Sequence, residues 1–164
     1  MSTAFGEFSV DDWRLLQGMI AGAASGQKRQ FRDSIREFDQ QVEHRRRVFA
    51  WIGFVVLHVV VHRLGRNPTD EDLRSLGREV DHGYRTMLAV NSPAAADVLL
   101  ASFGRLPASE DFPGSHFPAQ QCALLGQLLI DPETDLLDIE GDLIDYWRTE
   151  GPDFERELLP PALP

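Results

Sequence analysis

Residues 49–65, FAWIGFVVLHVVVHRLG, constrain the fold more than any other part of the chain. From Val48 to Val61 the only titratable side chain is His58. A helix needs roughly 20 apolar residues to span a bilayer, and this run of 14 falls short. It must therefore be covered by the rest of the chain or by a partner. Its β-branched residues favour a strand. Its length, and its helical phase shared with the preceding residues, favour a helix.

The flanking sequence is helical in pattern. Ser9 is a good N-cap, with Asp11 and Asp12 at the positive end of the helix dipole. Val10, Trp13, Leu16, Ile20 and Ala23 form its apolar face, and GAASG ends it. Phe31, Ile35, Phe38, Val42 and Phe49 share one stripe, whose phase runs unbroken into the apolar segment. One helix over 27–64 would be about 57 Å long, whereas a compact domain of this size has a radius of gyration of roughly 15 Å. The pattern therefore predicts a break near Arg45–Arg47 or Gly53, or else a projecting helix that pairs with another chain.

Thr69 and Asp72 have the spacing of a capping box, and Leu73, Leu76, Val80, Tyr84 and Met87 form the core stripe that follows. Ser92 and Pro93 predict the cap and first position of another helix, with Val98, Leu99 and Phe103 in its core. Residues 107–118 hold three prolines and read as a loop. A helix through AQQCALLGQLLI follows, then one capped by Asp131 with Pro132 at its first position, burying Leu136, Leu143 and Trp147. The expected fold is an all-α, single-domain bundle of five to seven helices over residues 1–157. Its central, largely buried apolar helix covers about residues 48–64, and residues 158–164 form a flexible tail.

The net charge is −10, unevenly spread. Residues 27–66 carry nine basic and four acidic side chains; residues 131–164 carry two basic and eleven acidic ones. Overall acidity argues against nucleic-acid binding, which needs a basic footprint. Fifteen of the sixteen basic residues are arginine, which fits GC-rich coding and a bacterial source. The N-terminus has no signal-peptide pattern and the lone Cys122 permits no internal disulfide. Both fit a cytoplasmic protein with no membrane span.

His58 and His62, four apart, share one helix face and could chelate zinc, copper or iron. Trp51 and Phe54 would line the same pocket for a haem or small ligand. The pair is no metalloprotease motif, because Val59 stands where the general base would be. Glu79 and His82 have the spacing of a di-iron ligand pair, but only one copy is present and His82 points away from the core stripe. Asp131, Glu133 and Asp135 match the first calcium-loop positions, but Leu136 replaces the required glycine. Cys122, among aliphatic residues, reads as a buried small hydrophobe. The segment from Thr69 to Leu88 resembles half a helix-turn-helix without a basic recognition helix. No phosphate loop, dinucleotide fingerprint or nucleophile elbow is present, and no cofactor is specified.

Two functions are therefore expected. The first is a non-enzymatic helical interaction or regulatory module that self-associates or binds a protein partner, with Arg45, Arg46 and Arg47 as its partner-binding cluster. The alternative is a bundle that binds a metal, haem or small ligand through His58 and His62.

Overall fold

The computed structural model describes residues 10–89, 91–106, 117–131, 134–142 and 144–145, with residues 42–47 described by their backbone alone. The fold is an all-helical bundle, with no strand among the described residues. The elements are α1 (Val10–Ala24), α2 (Lys28–Gln40), α3 (Val42–Leu64), α4 (Asp70–Thr86), α5 (Ala95–Ser102) and α6 (Phe117–Leu128). A further helix, α7, covers 134–142 and 144–145.

The apolar segment is helical, and α3 is largely buried. Val48, Ala50, Trp51, Ile52, Val55, Val56 and Val60 are all in the core. The other side of α3, including Phe54, Leu57, His58 and Val61, is half-buried. A second helix is enclosed over even more of its circumference. Nine of the 12 residues of α6 are buried, so it must be covered on nearly every side. Indeed α1, α3, α4 and α5 all pack on it.

The long helix expected over 27–64 does break, but at neither expected place. Gln41 leaves the helical region (φ −95°, ψ 76°) and serves as both the C-cap of α2 and the N-cap of α3. Its N–H donates to Phe38 O at 3.2 Å. No glycine or proline lies there, so packing sets the break. Phe31 and Phe38 are buried from α2, which packs on both α1 and α3. At 23 residues α3 is about 34 Å long, which suits a domain this size. The projecting helix, one reason for expecting self-association, is absent.

The helix ends follow local chemistry. Gly26, at φ 70°, ends α1 in a Schellman motif. Gln27 N–H donates to Gly22 O (3.1 Å) and Gly26 N–H to Ala23 O (3.2 Å). The capping box of α4 is complete. Asp72 N–H donates to Thr69 Oγ1 at 3.1 Å and Thr69 N–H to Asp72 Oδ2 at 2.9 Å. Hydrogen bonding to the carboxylate from Thr69, its backbone N–H first and its side chain second, holds the Asp72 carboxyl below the ordinary aspartate range. Asp131 caps α7 by accepting from Thr134 N–H (3.4 Å) and Oγ1 (2.9 Å). Asp135 Oδ2 reaches back to Asp131 N–H at 3.0 Å.

Other expectations needed correction. Helix α5 begins at Ala95 with Ala94 as its cap residue, so Ser92 and Pro93 precede it. Val10 is exposed, whereas Leu16, Ile20 and Ala23 are buried as expected. Asp12 lies in the first turn of α1 as expected, and is fully buried there. Pro118 belongs to α6 and not to the preceding loop. Ser9, residues 107–116, Leu143, Trp147 and the tail at 158–164 lie outside the described residues.

Close helix crossings hold the bundle together. Gly77 of α4 lies against Ala96 of α5, and a methyl group built there would overlap the Ala96 backbone. Gly126 of α6 lies against α1, where a methyl group would stand 2.6 Å from Ala23 Cβ. At the start of α6, the Phe117 and Phe49 rings are 6.3 Å apart.

Candidate functional site

The two histidines of α3 have different surroundings. His58 is half-buried, 28% exposed at its side chain, and its Nε2 lies 4.0 Å from Asp142 Oδ2 on α7. The Phe54 ring, one turn earlier, is 5.8 Å from the imidazole. His62, one turn later, is exposed near the helix end. The structure therefore brings Phe54, His58 and Asp142 together at the α3–α7 contact. Trp51 is buried in the core. The side chains of Arg45, Arg46 and Arg47 lie outside the described residues.

Among the described residues, no three His, Cys, Asp or Glu side chains are grouped to hold a metal ion. His58 and His62 would need a further donor to complete a site. On α4, Glu79 pairs with Arg63 at 3.2 Å, and His82 is exposed. Asp131 and Asp135 cap α7, and Leu136 beside them is buried. Two of the three carboxylates read as a calcium pattern thus have a structural use, and Glu133 lies outside the described residues. Cys122 is buried, and burial pushes its thiol far above the ordinary value.

The α4–α5 corner holds a polar cluster that no sequence motif marks. Asp81, between the noted Glu79 and His82, accepts from Ala95 N–H at 2.9 Å. It also accepts from Arg85 Nε at 2.6 Å. Burial pushes the Asp81 carboxyl up, but the Ala95 hydrogen bond and the Arg85 guanidinium outweigh it, leaving it below the ordinary range. The Tyr84 hydroxyl donates to Pro93 O at 2.9 Å, and burial pushes the phenol well up. No periodicity points to this corner; its only sequence signal is an aspartate one turn ahead of an arginine.

A second polar feature lies on α6, where Gln120 and Gln121 are buried. Gln121 Nε2 donates to Ser102 Oγ at 3.1 Å, and both amide oxygens lack a hydrogen-bond partner among the described residues.

Among the described residues the surface carries two segregated charge patterns and three exposed aliphatic side chains, Val10 on α1 and two at α7. Lys28, Arg29, Arg32 and Arg36 of α2 are exposed, as are Asp138, Asp142 and Asp145 of α7. Ile130, just before α7, is 99% exposed, and Leu137 within it is 51% exposed. No helix among the described residues is long and apolar enough to cross a membrane. No family model, curated protein or solved structure matches the chain.

Proposed function

We propose that the protein is a non-enzymatic helical interaction module that self-associates, acting in the cytoplasm of a bacterial cell. The observation that carries this reading is the exposure of Ile130 and Leu137 beside the acidic surface of α7. Interface cores favour apolar side chains with polar groups around them. Covering two aliphatic side chains of this size removes apolar surface from water, at roughly 25 cal/mol per Å². Neither is part of the buried core, so both are available to a partner without unfolding. The half-buried side of α3 adds further apolar surface.

Sedimentation velocity on the wild-type chain and on the Ile130→Ser/Leu137→Ser variant tests the reading. The wild type is expected to dimerise in the micromolar range, and the variant to dissociate at higher concentration with an unchanged helical circular dichroism spectrum. A wild-type monomer throughout that range, at low and high salt alike, overturns it.

A second reading follows from the half-buried His58 beside Phe54 and Asp142. Here His58 and His62 hold a metal, haem or small ligand. Elemental analysis of untagged protein, purified without chelators, tests the metal form. About one equivalent of zinc, copper or iron, lost in the His58→Ala/His62→Ala variant and kept in His82→Ala, supports it. Metal retained in the double variant refutes it.

A further inference from the structure

The basic stripe of α2 and the acidic arc of α7 are matched in spacing and opposite in sign. At 100° per residue, Lys28, Arg29, Arg32 and Arg36 fall within an arc of about 100°. All four are exposed. Asp39 lies on the same arc, so the stripe carries a net excess of positive charge. On α7, Asp138, Asp142 and Asp145 fall within about 60° of one another, and Leu137 lies about 80° beyond that arc. Along the axis, Lys28, Arg32 and Arg36 are about 6 Å apart in turn; Asp138 and Asp142 are about 6 Å apart, and Asp145 about 4.5 Å further on.

These charges do not meet within the chain. Among the described residues, no ion pair joins α2 to α7, and none involves Lys28, Arg29 or Arg32. Arg36 reaches only Asp33 of its own helix, at 4.0 Å with both side chains exposed. On α7, Asp142 lies 4.0 Å from His58.

We infer that two copies of the chain associate by laying the basic stripe of α2 in one copy on the acidic arc of α7 in the other. The inference rests on the self-association proposed above. The two-fold symmetry common in dimers would form this contact twice, α2 on α7 and α7 on α2. Opposed charges steer encounter and fix register, and added salt weakens them.

Charge reversal with mixing tests this directly. One variant carries Arg29→Glu and Arg32→Glu; the other carries Asp138→Lys and Asp142→Lys. All four positions are exposed, so circular dichroism should show both variants folded. Each variant alone is expected to dimerise about tenfold more weakly or worse than wild type. Mixed in equal amounts, the two should form a heterodimer, because each reversed helix then faces a helix of opposite sign. If the wild type dimerises and the reversed variants dimerise equally well, this mode is overturned while self-association stands. Loss in both variants without recovery on mixing also overturns it. A monomeric wild type at low salt removes this mode and self-association together.

Discussion

Asp81 on α4 accepts a hydrogen bond from the backbone N–H of Ala95 at 2.9 Å, and so caps a helix to which it does not belong. The first N–H groups of a helix have no partner inside it, and Ala94 has no side chain to supply one. Arg85 holds the carboxylate from its other side, and Arg85 also donates to Ser92 O at 3.4 Å. One turn of α4 thus fixes where α5 begins.

Asp81→Ala should therefore cost about 1–2 kcal/mol of stability near neutral pH. The folded-state carboxyl is depressed. Its stabilisation is thus present above the unfolded aspartate value of about 3.9 and is lost as pH falls through the lower folded value. Urea unfolding of wild type and variant should show the difference near pH 7 and a smaller one near pH 3. An equal difference at both pH values would show that the ionised carboxylate is not what stabilises the corner.

Two glycine substitutions should act in opposite directions. Gly77→Ala forces a methyl group into Ala96 of α5, so the helices must separate, at a cost of about 1–3 kcal/mol or more. Gly141→Ala on α7 meets open space and gains helix propensity, raising stability by about 0.5–1 kcal/mol. Thermal melts of the two variants check both signs.

Gln120→Leu should stabilise the fold by about 1 kcal/mol, because it removes a buried amide oxygen that accepts no hydrogen bond. Denaturant titration measures this. A clear loss of stability would mean that the oxygen is satisfied and that the polar group belongs to the packing.

Much of the architecture was legible in the sequence because helix caps and apolar stripes are local. Thr69 with Asp72, Asp131 as a cap, and the buried series from Leu73 to Met87 follow from local sequence pattern. The break at Gln41 was not legible, because no residue there disfavours a helix and the constraint comes from packing against α1 and α3. Nor was the capping of α5. Ser92 and Pro93 were the better local candidates, and a side chain 14 positions before Ala95 took the role. Of the candidate site, the shared face of His58 and His62 was readable, but the approach of Asp142 to His58 was not. That pairing depends on how α7 lies against α3.

The measurement that tests the account most directly is sedimentation velocity of the wild-type chain through the micromolar range, at low and then high salt. A dimer at low salt that dissociates as salt is added is the predicted result. A monomer at every concentration and salt would contradict it, and would leave the exposed Ile130 and Leu137 as isolated surface residues.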